Sequence, residues 1–165
     1  MVDRSAIPDL KLELFSQPRL LSAARAAVGS FSQRLGFNEV QCGQISLSID
    51  EALCNIIIHG YDRRPDGRIW LSIWDMKTDP PGIRVVIEDR ARQVDPATIQ
   101  PRDLDDIRPG GLGVYIIREI MDEVTHELRA DGGMRLTMVK QIPPTPKRQS
   151  AGTSSSSGES EGQHG

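Results

Sequence analysis

At 165 residues the chain suits one domain plus a tail. Its hydrophobic residues (38%) suffice for a core, which must be mainly aliphatic because aromatics reach only 4%. A net charge of −3 excludes attraction to nucleic acid or to an anionic membrane by bulk electrostatics, so specific binding must rest on a local site.

The opening MVDRSAIPDLKLELF lacks a charged-then-apolar signal pattern, and no apolar run approaches a membrane span, so a soluble, cytoplasmic protein is the expectation. Leu10, Leu12 and Leu14 alternate with Lys11 and Glu13, the pattern of a half-buried strand over 10–15 that Pro18 ends. A helix is predicted over 19–35, with Leu20, Leu21, Ala24, Ala27, Val28 and Phe31 on one face and Gly36 as its stop. Asn38 is placed to cap the next helix, predicted to run to about His59, with Gly43 as a weak point near its start. Cys42 and Cys54 both fall on this helix, too far apart for a disulfide, and reduced thiols suit a cytoplasmic chain.

Asp66-Gly67 signals a turn, and Ile69, Leu71 and Ile73 then alternate with Trp70, Ser72 and Trp74 in a strand over 68–76. After Pro80-Pro81-Gly82 a second strand, 83–88, completes an antiparallel hairpin. Residues 90–110 carry three prolines and read as irregular. A helix over 112–124, a short strand over 125–129, a turn at Asp131-Gly132-Gly133 and a last strand over 134–141 follow. From about Pro143 the chain is rich in Pro, Ser and Gly and nearly free of apolar residues, so residues 143–165 are expected to be a disordered tail behind a domain over 1–142. The order βααββαββ predicts an α+β two-layer sandwich, a mixed but mostly antiparallel sheet with helices on one face.

Three constellations could carry chemistry. Glu51, Asn55 and His59 are spaced four apart on an otherwise apolar helix, so they share one stripe. The Asn55 amide oxygen suits Mg²⁺, and Glu51, one turn earlier, could take a proton from a hydroxyl. Alone, the spacing better suits a solvated polar face with a helix-terminal His, because such spacings are common. Next, Arg108-Pro109-Gly110-Gly111-Leu112-Gly113-Val114 opens a helix, where glycines and the helix start together suit an anion. It is neither a P-loop, lacking Gly-Lys-Ser/Thr, nor a dinucleotide fingerprint, because no strand precedes it. Alone, it also suits a flexible loop. Last, Asp89 ends an apolar strand, where its carboxylate could accept a hydrogen bond from an amino group such as that of adenine, or simply begin a loop. The three His and two Cys have no metal-ligand spacing, and the basic residues are scattered without aromatic interleaving, so neither a structural zinc nor a nucleic-acid face is expected.

Taken in this order, the motifs resemble the GHKL superfamily of ATPases and kinases with the Bergerat ATP-binding fold, most closely the small bacterial anti-sigma-factor serine/threonine kinases. The resemblance covers roughly residues 10–142. Residues 51–61 are similar to that family's N box, and 110–124 resemble its second glycine box and following helix. The resemblance implies ATP and Mg²⁺ as cofactors. Asn55 would ligate the metal, Glu51 would be the base that activates a substrate serine, Asp89 would hold the adenine amino group, and Gly111 and Gly113 would let the lid close on the phosphates. His59, Ala91, Gly110, Leu112 and Val114 fall in the same binding motifs, and Arg108 stands near the expected γ-phosphate.

Two positions depart from the family pattern. Asp-x-Gly becomes Asp89-Arg90-Ala91, which adds a methyl group and removes easy positive φ. Gly-Thr becomes Gly133-Met134, so a hydroxyl near adenine is missing, and Thr137, an odd number of residues along the strand, faces the other way. The implied partners are a sigma factor, which the chain would sequester, and a STAS-type anti-sigma-factor antagonist, which it would phosphorylate. A homodimer is a further expectation of the resemblance. The alternative is a catalytically weak or inactive partner-switching module of the same fold. A detached histidine-kinase domain fits less well, because no helical segment with a phosphoacceptor His precedes the first strand.

Overall fold

The computed structural model describes residues 7–99 and 112–144. The first strand, β1 (Leu10–Phe15), has the expected alternation of half-buried and exposed side chains. A short 3₁₀ turn at Pro18–Leu20 leads into α1 (Leu21–Leu35), which Gly36 stops in the left-handed conformation, φ 101°. Asn38 caps α2 (Glu39–Asn55): its side chain accepts from Gln41 N while the Gln41 side chain accepts from Asn38 N. The predicted extension of this helix to His59 is present in altered form. Residues Ile56–Gly60 wind as a wider π turn, closed by Tyr61 N donating to Ile56 O at 2.9 Å.

The hairpin is β2 (Arg68–Met76) and β3 (Gly82–Asp89). The described part of the irregular stretch holds only a 3₁₀ turn at Pro96–Thr98. Helix α3 (Leu112–Ile120), β4 (Glu123–Leu128) and β5 (Met134–Gln141) complete the chain. The predicted helix end at Val124 is corrected, since the chain is already a strand from Glu123. Asp122 is the cause. Its N–H donates to Val139 O, and its carboxylate accepts from Lys140 Nζ and Gln141 N, which ties the helix exit to β5.

Among the described residues five strands lie in the order β1-β2-β3-β5-β4, and all four neighbouring pairs are antiparallel, so the sheet they form is not mixed. Because β5 is antiparallel to both β3 and β4, those two run the same way with β5 inserted between them, and α3 makes the crossover. Register places Ile69, Leu71, Ile73, Ile83, Val85, Ile87, Leu136 and Met138 on one face, where they are buried with Ala24, Val28, Ile45, Ile49, Leu53 and Ile117 from the helices. The opposite face carries Trp70, Trp74, Arg84 and Arg135; Arg84 lies 4.3 Å over the Trp74 ring and Arg135 bonds Glu88. The architecture is therefore the expected α+β sandwich with helices on one face.

Both cysteines are unpaired. Among the described residues no helix is long and apolar enough to cross a membrane. Arg108, Gly110, Gly111 and all of the expected tail beyond Pro144 lie outside the described residues.

Candidate functional site

The end of α2, the loop after β3, α3 and the last two strands enclose a cavity of about 270 Å³. Asn55, Ile56, His59 and Gly60 line it from α2 and its π turn; Asp89, Ala91, Arg92, Val94 and Ile99 line it from β3 and the loop beyond. Val114 and Ile117 come from α3, His126 from β4, Met134 and Leu136 from β5. The walls are mainly apolar with a few polar groups, the composition suited to a small organic ligand.

Asp89, in the cavity wall, is only 3% exposed. Its Oδ1 accepts from Ala91 N at 2.8 Å and from Met134 N at 3.2 Å. Burial raises its pKa above the usual aspartate value, while the two N–H donors and the Arg129 charge oppose the rise. With Oδ1 engaged twice by the backbone, Oδ2 is the oxygen left to accept from a ligand.

This arrangement depends on Gly133. Its φ is 81°, and a Cβ there would collide with the Asp89 carbonyl oxygen and lie 2.6 Å from Arg90 Cα. Only a residue without a side chain lets β5 start so close to the end of β3. Tyr61 braces the same corner: its hydroxyl donates to Arg68 O at 2.6 Å and accepts from Arg90 N at 2.9 Å.

The first turn of α3 lies on the Glu51–Asn55 turn of α2, with neither Gly113 nor Glu51 in the cavity wall. A Cβ on Gly113 would stand 2.6 Å from Glu51 Oε2 and 3.4 Å from Asn55 Nδ2. The residues that sequence spacing singled out on two distant segments thus meet at one point. Glu51 lies beside this junction and is not part of the cavity wall, whereas Asn55 is. His59 lines the cavity although it is exposed and is carried by the π turn. Leu112 does not join the site; it is 57% exposed. Gly110 and Gly111 lie outside the described residues.

The two departures have clear consequences. The backbone at Ala91 is not in the positive-φ region, where the only non-glycine residues described are Asp62 and Arg63, so glycine is not needed there. Its methyl group lies against Gly60, where a Cβ would approach Ala91 Cβ to 2.8 Å. Met134 places its side chain in the cavity wall, 7% exposed, while its N–H holds Asp89. Thr137 is not in the wall, as strand parity required.

Sequence reasoning missed His126. Its half-buried imidazole faces the cavity and makes no hydrogen bond among the described residues; burial first, then the Arg118 charge, lower its pKa. Strand parity could have found it, because it shares a face with Val124. Arg118 also donates to Ile99 O at 3.1 Å, tying α3 to the loop wall.

Residues 14–140 match the family of histidine kinase-like ATPase domains. The chain is 25% identical over 139 residues to serine-protein kinase RsbW of Listeria monocytogenes serotype 4a (strain HCC23), covering 81% of this chain and 87% of that protein. It is 28% identical over 137 residues to anti-sigma F factor of Clostridium novyi (strain NT), covering 81% and 94%. A similar fold occurs in the crystal structure of the RsbU and RsbW domains of Rv1364c from Mycobacterium tuberculosis, with a TM-score of 0.54 at 16% identity over 80% of this chain and 31% of that longer one.

Proposed function

The chain belongs to the histidine kinase-like ATPase domain family, and from that premise we propose that it binds ATP with Mg²⁺ and phosphorylates a serine of a STAS-type anti-sigma-factor antagonist, while also sequestering a sigma factor in the cytoplasm. The observation that carries this is the junction of Gly113 with Glu51 and Asn55, of which Asn55 reaches the wall of a cavity that the buried Asp89 carboxylate also lines. The donor set fits the nucleotide. An apolar slot suits a purine, Asp89 Oδ2 can accept from its amino group, and the start of a helix suits phosphate.

Asn55 would hold the metal with its amide oxygen. Among the described residues no three His, Cys, Asp or Glu side chains gather into a metal site, so the remaining ligands would be phosphate oxygens and water, the usual mode for magnesium. When bound, ATP supplies the γ-phosphoryl group, and the cation neutralises charge on it. Glu51 accepts the proton of the serine hydroxyl as that oxygen forms its bond to phosphorus and ADP leaves. The antagonist would approach over Glu51, which lies outside the cavity wall. Similarity to proteins named serine-protein kinase and anti-sigma F factor supports the reading.

The test is to mix the chain with ATP, Mg²⁺ and a cognate antagonist and to follow phosphoserine. Glu51→Gln is expected to abolish transfer while ATP still binds; transfer at the wild-type rate would refute the base assignment. Met134 favours a second reading, a partner-switching module with weak nucleotide binding, because a thioether stands where a hydroxyl is usual. Titration with ATP and Mg²⁺ separates the two: neither heat nor a thermal shift would support the module.

A further inference from the structure

Among the described residues, five cavity-lining side chains can form conventional hydrogen bonds: Asn55, His59, Asp89, Arg92 and His126. The proposed reaction uses Asn55 and Asp89, and His59 and Arg92 are exposed at the rim. That leaves His126, half-buried and without a partner among the described residues. Its ring lines the wall, so a ligand that fills the cavity displaces water from it and can offer it a partner in exchange.

Its position is set by the sheet. Met134 N bonds Asp89 directly, Leu136 lies two residues further along β5, and His126 is the residue paired with Leu136 across the β4–β5 ladder. Strand geometry therefore puts His126 about 7 Å along the sheet and about 5 Å to the side of the residue that holds Asp89. A base anchored at Asp89 by its amino group and laid across the β5 wall would bring a ring nitrogen towards that point. Among the described residues, Met134, Leu136 and Ile117 of the wall carry side chains that cannot donate a conventional hydrogen bond.

Resting on the ATP reading above, we propose that His126 donates a hydrogen bond from its imidazole N–H to a ring nitrogen of the bound adenine, supplying the donor that the methionine side chain at 134 cannot. Burial and Arg118 both favour the neutral ring, which carries one N–H donor and buries no charge. The donor matches adenine, whose ring nitrogens away from the sugar are all acceptors.

Dissociation constants for ATP and its 1-deaza, 3-deaza and 7-deaza analogues, each with Mg²⁺, test this in the wild-type chain, His126→Phe and His126→Gln. The wild type is expected to bind one analogue about 3- to 10-fold more weakly than ATP, the range of one neutral hydrogen bond. His126→Phe should bind ATP as weakly as the wild type binds that analogue and should no longer distinguish the two; His126→Gln, which keeps an N–H donor, should restore the distinction. A wild type indifferent to all three analogues overturns the proposal. So does a Phe variant that discriminates as before, or one that weakens all four nucleotides equally, since either would leave His126 a packing role. If the wild type binds no ATP, the nucleotide reading fails and this hydrogen bond fails with it, whereas ATP binding without discrimination removes the hydrogen bond alone.

Discussion

Replacing Gly113 by alanine tests whether the α2–α3 junction serves chemistry or only packing. The new Cβ would meet Glu51 Oε2 at 2.6 Å, Asn55 Nδ2 at 3.4 Å and Glu51 Cβ at 3.5 Å. Ordinary van der Waals contact begins near 3.4 Å, so only the carboxylate must retreat, by about 0.8 Å. It is the far end of a flexible side chain, so the fold should accept the change. Alanine also favours helix over glycine by up to about 1 kcal/mol, which offsets any local crowding. A displacement near 1 Å at a reacting group costs on the order of 10²-fold. Phosphoserine formation should therefore fall about 10- to 100-fold, with the ATP dissociation constant changed less than about 3-fold. The melting temperature should hold or rise by a few degrees, since about 1 kcal/mol shifts a chain of this size by roughly that much. A folded Gly113→Ala protein that transfers phosphate at the wild-type rate would show that Glu51 need not occupy its observed place, and the base assignment would fall.

Gly133→Ala should be far more damaging to stability, because its Cβ would meet rigid backbone at Asp89 and Arg90 and its φ of 81° is strained for alanine. Strain and overpacking together suggest about 3 kcal/mol, visible in a urea melt; an unchanged midpoint would contradict the close approach of β5 to β3. Asp89→Asn is expected to weaken ATP binding about 10- to 100-fold, the scale of a hydrogen bond to a charged acceptor, as read by calorimetry. The same variant should be at least as stable as wild type at pH 7.5 without nucleotide. The folded-state pKa of Asp89 is raised by burial, so its ionised form opposes folding above that pKa, and the penalty fades as pH falls towards the unfolded value. The stability difference between variant and wild type should thus shrink from pH 7.5 to pH 4.5; a gap that widens on acidification would reverse the assigned cause.

Much of the fold was legible because its pieces are local. The cap at Asn38, the stop at Gly36 and the alternation in β1 and β2 are contests between neighbouring residues, which propensity and parity decide. The end of α3 was misplaced because a tertiary tie, Asp122 to β5, competes with helical periodicity there. His126 was overlooked because parity could put it on the face of Val124 but could not show that this face lines a cavity.

What the chain order determined alone was the inventory: which residues alternate, which helix bears Glu51 and Asn55, and which glycine opens the next helix, since periods of 2 and 3.6 follow from backbone geometry. Only the tertiary structure decided that Gly113 would lie against Glu51 and Asn55, that Gly133 would let a methionine N–H hold Asp89, and that β5 would run between β3 and β4 with His126 behind it. Those are meetings of segments tens of residues apart. They follow from burying one shared apolar face, a global requirement that no local stretch of sequence expresses.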